Sequence, residues 1–324
     1  MTDTVSEPAL DGLIAPGTPL ERLGEGYQFT EGPVWSTRDQ ALIFSDIPGD
    51  VRWKWTADGG MEVLRAPCDK ANGLVLDRDG ELIACDQITS RVVRYRRDGG
   101  TDVLAFHHRG AYLNSPNDIV VRAADGALYF TDPDYGRWND WIGQERSRTR
   151  FRGLYRVPAH GGTGEAELLV DEDEFDEPNG LCFSPDESLL YVNDTPRAHV
   201  KVFDVAADGT LSGGRIFCEG VGLTQAEVDA ATAGMTEAER HRVIHDAGSL
   251  DGMKVDERGN LWATGPGGVW IFDPGGREIG RFATPEVAGN LTWGGADLHT
   301  LFVMTTTTVH ALRTLVGPAT LPHH

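Results

Sequence analysis

The sequence predicts an all-β fold, a six-bladed β-propeller, from two observations. Six copies of one pattern run along the 324 residues, each made of a short apolar strand, a polar turn and a second apolar strand. The copies lie roughly 40 residues apart, a spacing typical of propeller blades. Glycine fills 40 positions, well above the average of about 7%, which indicates many tight turns. The regular repeat disfavours a β-sandwich or two stacked domains.

The blades follow from what surrounds each copy. The copies begin at Glu31, Asn72, Asn117, Asn179, Asp251 and Gly289. Further strand signals follow most copies and bring the count to four strands per blade. The sixth copy lacks a fourth strand, and the segment around Leu20 to Leu23 could supply it, which would cover an exposed sheet edge. We therefore expect residues 1–324 to form a single propeller domain closed by its N-terminal segment.

One insertion stands out between the fourth and fifth copies. Residues 224–247 are predicted to form two short helices, since Thr224 with Glu227 and Thr236 with Glu239 fit the capping-box pattern. The insertion directly precedes Asp251. It could therefore cover one mouth of the channel as a lid, or it could be a surface elaboration.

Composition excludes several classes of partner. The formal net charge of -21 argues against a nucleic acid or an anionic membrane, because both attract clustered Lys and Arg. No stretch approaches the roughly 18 apolar residues of a membrane span, and no secretory signal is visible, so we expect a cytoplasmic monomer or dimer. The cysteines are far apart, which predicts buried free thiols; they are Cys68, Cys85, Cys182 and Cys218.

The first residues of the copies form a column of candidate ligands. Inner strands line the channel of a propeller, so equivalent residues at their starts should converge near one mouth. Five of the six are carboxylates or carboxamides: Glu31, Asn72, Asn117, Asn179 and Asp251. Such hard oxygen donors suit Ca²⁺, Mg²⁺ or Mn²⁺, and the lack of His and Cys in the column disfavours a dedicated zinc site. The alternative is that these side chains cap turns, which for Asn72 is an equally good interpretation.

Five motifs together resemble a known family. They are EGPVW from Glu31, LNSPND from Leu113, YFTDPDYG from Tyr129, PNGL from Pro178 and DGM from Asp251. The chain from about Gly24 to Leu312 is similar to the SMP-30/gluconolactonase/LRE family of sugar-lactone lactonases. The resemblance implies that Glu31, Asn179 and Asp251 bind the metal. Asn117 matches a fourth ligand or a substrate contact.

The resemblance also implies an activity. Members of the family hydrolyse aldonolactones with a divalent metal, for which we expect Ca²⁺ here, with Mn²⁺, Mg²⁺ or Zn²⁺ as alternatives. Some relatives accept other lactones or organophosphate esters. Close gluconolactonases often carry a Glu-His-Gly run where this chain has Cys85–Ile88, so the resemblance leaves the substrate open.

The expected mechanism is metal-assisted hydrolysis of a small lactone. Asp251 is the first candidate for the general base because it adjoins the metal, and a metal-bound water or Asp132 could share that role. Asn72 and Asn117 would hydrogen-bond substrate hydroxyls. Tyr135, in the YFTDPDYG motif, and Trp138, just beyond it, are candidate substrate contacts. Two other functions stay open, a phosphotriesterase-like hydrolase on the same metal and a ligand-binding propeller without chemistry.

Overall fold

The computed structural model describes most of the chain. The described residues are 3–4, 10, 12–138, 149–159, 164–223, 225–236, 239–240, 243 and 249–319. Short strands joined by turns account for most of them, as the repeated pattern predicts. Among these residues, no helix has the length and apolar character needed to cross a membrane.

The secondary structure follows the six copies in order. The first half contains β1 (Asp3–Thr4), β2 (Pro19–Glu25), β3 (Thr30–Ser36), β4 (Ala41–Asp46), β5 (Val51–Thr56), β6 (Gly60–Arg65), β7 (Ala71–Leu76), β8 (Leu82–Asp86), β9 (Arg91–Tyr95), β10 (Thr101–His108), β11 (Ala111–Tyr112), β12 (Ile119–Val121), β13 (Leu128–Asp132), α1 (Tyr135–Trp138), β14 (Gly153–Val157), β15 (Gly164–Glu165) and β16 (Glu167–Leu168). The second half contains β17 (Pro178–Phe183), β18 (Leu189–Asp194), β19 (His199–Val205), β20 (Leu211–Glu219), α2 (Gln225–Ala231), β21 (Met253–Val255), β22 (Leu261–Gly265), β23 (Gly268–Phe272), β24 (Glu278–Ala283), β25 (Ala288–Gly294), β26 (Thr300–Thr305) and β27 (Thr308–Arg313).

Six antiparallel sheets form the blades of the predicted propeller. The first blade is β3 to β6, the second β7 to β11, the third β12, β13, β14 and β16, the fourth β17 to β20 and the fifth β21 to β24. The strand β15 joins the second blade by pairing parallel to β10. In each blade the first strand of the copy is the inner one, so six inner strands surround the axis.

The N-terminal segment closes the ring. Strand β2 pairs antiparallel with β27, and Leu20 lies opposite Leu312. The sixth blade is therefore β1, β2, β27, β26 and β25. The fourth strand that the last copy lacks comes from the other end of the chain, as predicted.

The hydrophobic core is divided among the gaps between neighbouring blades. Six separate clusters of buried apolar side chains fill these gaps, one between each pair of adjacent blades. Trp262 meets Trp293 edge to face between the fifth and sixth blades, with 5.2 Å between ring centroids. Trp35 stacks on Phe302 across the closing gap at 5.4 Å. The four cysteines are buried free thiols, as predicted.

The helical insertion lies where the sequence places it. Helix α2 follows the last strand of the fourth blade and precedes the first strand of the fifth. Glu239 Oε2 accepts a hydrogen bond from the backbone N–H of Thr236 at 2.8 Å, which confirms that capping box. Thr224, the start of the other capping box, lies outside the described residues. The role of the insertion as a lid stays a prediction.

Candidate active site

The predicted column comes together at one end of the channel. Asn72 Nδ2 donates to Asn117 Oδ1, and Asn117 Nδ2 donates to Asn179 Oδ1 at 2.7 Å. Asn179 lowers the pKa of the Asp251 carboxylate and the charge of Glu31 raises it, so both side chains lie close to Asp251. Side chains from five blades therefore meet. We call this set, Glu31, Asn72, Asn117, Asn179 and Asp251, the axial ring.

Irregular pairing of the inner strands turns these side chains inward. The register of the ladder shifts between Glu31 and Val34 in the first blade and between Pro178 and Leu181 in the fourth. The second blade has the same shift after Ala71. A β-bulge redirects side chains locally. The strands therefore stay paired in their blades while their first residues point towards the axis.

Glycines after the ring residues let the inner strands approach one another. The N–H of Gly73 donates to the carbonyl oxygen of Asn117 at 2.7 Å, and the N–H of Gly180 donates to that of Asp251 at 3.1 Å. Gly32 has φ of 55° and packs directly on the Asn72 carbonyl group. A side chain at these positions would force neighbouring blades apart.

We expect Gly32→Ala to lower the free energy of unfolding by about 2–4 kcal/mol, because a Cβ there collides with the Asn72 backbone. Gly99→Ala is the matched control, since Gly99 also has a positive φ but has no neighbour within 4 Å of the added Cβ. It should cost only about 1 kcal/mol from backbone conformation. Urea unfolding of both variants measures the difference. Equal losses would contradict the tight contact.

Polar residues of the second strands hold the carbonyl groups of the ring. Ser45 donates to the carbonyl oxygen of Asn72 at 3.0 Å, and Thr131 donates to that of Asn179 at 2.8 Å. Asn193 Nδ2 donates to the carbonyl oxygen of Asp251 at 2.5 Å. Each donor lies one blade before its acceptor, so the first, third and fourth blades each fix the ring residue of the next blade.

Glu31 and Asp251 are the charged members of the ring. Burial and the negative charge of Glu31 raise the pKa of Asp251 well above its usual range. Burial raises the pKa of Glu31 to about 7, although Asn290 hydrogen-bonds to its carboxylate. Two carboxylates that interact in this way repel unless a proton or a cation lies between them.

The donor set fits a hard divalent cation. Glu31 Oε2 accepts hydrogen bonds from the N–H of Gly32 at 2.7 Å and from Asn290 Nδ2 at 2.9 Å, whereas Oε1 is buried and has no hydrogen-bond partner among the described residues. Such an oxygen is costly unless something binds it. Two carboxylates and two amide oxygens are the ligands that Ca²⁺ prefers.

The axial ring differs from a metal site built mainly from His, Cys, Asp and Glu side chains. Within the described ranges, no three such residues are grouped so that they could hold a metal ion. The ring instead combines two carboxylates with amide oxygens from Asn117 and Asn179. This composition matches the oxygen-only column that the sequence predicts.

Asp132, the second predicted catalytic residue, supports the chain that leads into the ring. It is fully buried, and its Oδ2 accepts the N–H of Asn114 at 2.8 Å. Asp46 accepts the N–H groups of residues 28 and 29 in the same way, and Asp194 accepts those of residues 176 and 177. These aspartates end equivalent strands and anchor the segments before Glu31, Asn117 and Asn179. Burial raises the pKa of Asp132 to about 7.

The predicted substrate contact Tyr135 lies beside the ring. Burial raises the pKa of its phenol well above the usual range, and the charges of Glu177 and Asp251 act in the same direction. Thr195 opposes part of this rise, and its hydroxyl accepts a hydrogen bond from Asn179 Nδ2 at 3.2 Å. Trp138 is the last residue of α1, and its role as a substrate contact stays a prediction.

Two polar side chains near the ring were not predicted. Asp118 and Asn290 occupy the second position of their copies, which is glycine in the other four copies, and both are buried. Asn290 donates to Glu31 at 2.9 Å. The signal was available, because the third copy begins ND and the sixth GN where the other copies read EG, NG or DG.

Fold and site together define the class of this protein: a six-bladed β-propeller with an oxygen-donor site on its axis. A family model described as SMP-30/Gluconolactonase/LRE-like region matches residues 29–307. The chain belongs to this family, as the five motifs predict.

Relatives and solved structures agree with this assignment. A gluconolactonase of Zymomonas mobilis is 30% identical over 96% of this chain and 85% of its own length. A pentonolactonase of Haloferax volcanii is 26% identical over 85% of this chain and 80% of its own. The structure of a gluconolactonase from Xanthomonas campestris has a TM-score of 0.81 at 29% identity and covers 97% of this chain and 95% of its own. These names agree with the predicted enzyme class, a hydrolase of the lactonase type.

Proposed function

We propose that this chain is a metal-dependent lactonase that opens a sugar lactone of the gluconolactone type to its hydroxy acid. The observation that carries the proposal is the axial ring, in which the buried Glu31 acts on the partly exposed Asp251 beside amide oxygens. The names of the relatives support the substrate class. The proposed metal is Ca²⁺, held by Glu31, Asn117, Asn179 and Asp251.

The bound cation would polarise the lactone carbonyl group and stabilise the oxyanion that develops on it. Glu31 would contribute Oε1, which has no hydrogen-bond partner among the described residues, whereas Oε2 is engaged by Gly32 and Asn290. Asn117 and Asn179 complete the donor set. Their amide groups are oriented by the hydrogen bonds that link them, which fixes the site before the cation binds.

Asp251 is the proposed general base. Its backbone is fixed by two hydrogen bonds to its carbonyl oxygen, from Asn193 and from the N–H of Gly180. A carboxylate held in this way can take a proton from the attacking water without reorganising. Asp132 would act indirectly, because its carboxylate holds the chain before Asn117; its share in the chemistry stays a prediction.

Substrate recognition is assigned to the same mouth. Asn72 and Asn117 carry amide groups that match the hydroxyls of an aldonolactone. The charge of Asp251 acts on the phenol of Tyr135 and raises its pKa. We propose that Tyr135 and Trp138 flank the sugar ring, since aromatic faces suit the apolar faces of sugars.

The test is proton release from D-glucono-1,5-lactone, followed in a pH-stat with protein freed of metal by a chelator. Activity should be low in the chelated protein and should return with Ca²⁺; Mn²⁺, Mg²⁺ and Zn²⁺ are tested beside it. Equal activity with and without cations would overturn the metal dependence. If no cation supports lactone opening, assays with other lactones and then phosphotriesters decide between another hydrolase and a binding propeller.

A further inference from the structure

A second layer of side chains lines the channel below the axial ring. Three residues after each ring position, the six inner strands carry Val34, Val75, Val120, Cys182, Lys254 and Thr292. In β3, β7 and β21 this residue is half-buried between fully buried neighbours, as expected of a side chain that borders the channel. Five of the six are neutral, and Lys254 brings a positive charge.

Lys254 lies close to the axis. Its Nζ donates to the carbonyl oxygen of Met253 at 3.0 Å, which holds the ammonium group against its own inner strand. Its charge acts on Glu31 of the first blade, on Asp118 of the third and on Cys182 of the fourth. A group in the fifth blade that acts on three other blades must face the channel that they share.

Asp118 is a buried carboxylate near the axial ring that has no role in the proposed cation site. It is 5% exposed, and its Oδ1 accepts the N–H of Ile119 at 2.9 Å. Its Oδ2 is buried and has no hydrogen-bond partner in the described part of the chain. The charges of Asp118 and Glu31 both act on Asp251.

The charges of these groups can be balanced. Glu31 and Asp251 of the axial ring, together with Asp118, whose charge acts on Asp251, carry three negative charges in all, whereas a divalent cation neutralises two. The ammonium group of Lys254 supplies the remaining positive charge. Buried charges are tolerated only when they are compensated, so the layer below the ring contributes the counter-charge that one cation lacks.

We propose that Lys254 and Asp118 are opposed charges on the propeller axis that together set the cation affinity of the axial ring. The inference rests on the proposed function, because it assumes that the ring binds a divalent cation. Lys254 weakens cation binding by like-charge repulsion, and Asp118 strengthens it by attraction. With both present, the ring has the net charge that one divalent cation matches.

The test is calorimetric titration of the chelated protein with Ca²⁺, for the wild type and four variants. Lys254→Met should bind Ca²⁺ at least about tenfold more tightly, because the substitution removes a like charge that already acts on Glu31 in a partly buried site. Asp118→Asn should bind at least about tenfold more weakly. The double variant should return to within about threefold of the wild type, as should Lys254→Arg, which keeps the charge.

If folded Lys254→Met binds Ca²⁺ as tightly as the wild type or more weakly, the inference is overturned. It is also overturned if Lys254→Arg, which keeps the charge, binds Ca²⁺ as tightly as Lys254→Met does. The wild type is also titrated with Mn²⁺, Mg²⁺ and Zn²⁺. If it binds neither Ca²⁺ nor any of these, the proposed function fails and the effect on cation affinity fails with it. Thermal unfolding of the chelated proteins then decides whether the two charges are coupled. A double variant more stable than Lys254→Met alone supports the coupling, and equal or lower stability excludes it.

Discussion

Asp251→Asn should lower kcat for lactone opening by about 10²- to 10⁴-fold, the range expected when a positioned general base is lost. The substitution keeps the size of the side chain, and the hydrogen bonds that Asn193 and Gly180 donate to the backbone of this residue remain. It removes the carboxylate that takes the proton and one of the two negative charges of the ring. KM should change much less than kcat.

Asp256→Asn is the matched control for this variant. Asp256 follows the same inner strand at its other end, where its carboxylate is fully buried and binds Asn260 and Trp262. This variant should lose stability, whereas its activity per folded molecule should stay close to that of the wild type. Initial rates in the pH-stat at saturating Ca²⁺ measure both. If Asp251→Asn keeps near-normal kcat, Asp251 is not the base.

Glu31→Gln should largely abolish the stabilisation of the protein by Ca²⁺. The wild type should gain about 2.7 kcal/mol of unfolding free energy at a Ca²⁺ concentration one hundred times Kd, by mass action. Glu31→Gln removes half of the formal charge of the ring, so its affinity for Ca²⁺ should fall by at least about 100-fold. The same concentration should then stabilise the variant little.

Without a cation, Glu31→Gln should be the more stable of the two proteins. Without a cation, Glu31 and Asp251 raise each other's energy in a buried site, and burial already raises the pKa of Glu31 to about 7. Replacing Glu31 by a neutral amide removes this repulsion. Chelated Glu31→Gln should therefore melt above chelated wild type, and the order should reverse when Ca²⁺ is added. Differential scanning calorimetry measures both conditions, and a variant less stable in both would contradict the account.

The axial ring could be predicted from the sequence because the repeat fixes its geometry. Once six blades are recognised, equivalent residues such as Glu31, Asn117 and Asp251 must lie near one another, whatever separates them along the chain. The pairing of β2 with the sixth blade, which closes the propeller, follows from the same count, since one strand was missing from the last copy. Six equal units leave few other arrangements.

The contacts inside the channel could not be predicted in this way. Pairs such as NG and DG are also turn signals. The polar residues Asp118 and Asn290, which replace the glycine of these pairs, therefore do not stand out in the sequence as residues near the site. The support that Asp132 gives to Asn114 depends on how a strand end meets a loop 18 residues earlier in the chain. The position of Lys254 on the axis becomes visible only when the inner strands are placed side by side.

The most direct test of the central claim is anomalous diffraction from crystals of the protein soaked in Mn²⁺, which stands in for Ca²⁺ at an oxygen site. The account predicts one strong peak on the propeller axis, within about 2.0–2.6 Å of oxygens of Glu31, Asn179 and Asp251. The peak should vanish in Glu31→Gln. A peak elsewhere in the molecule, with none between these side chains, would contradict the assignment of the axial ring as the metal site.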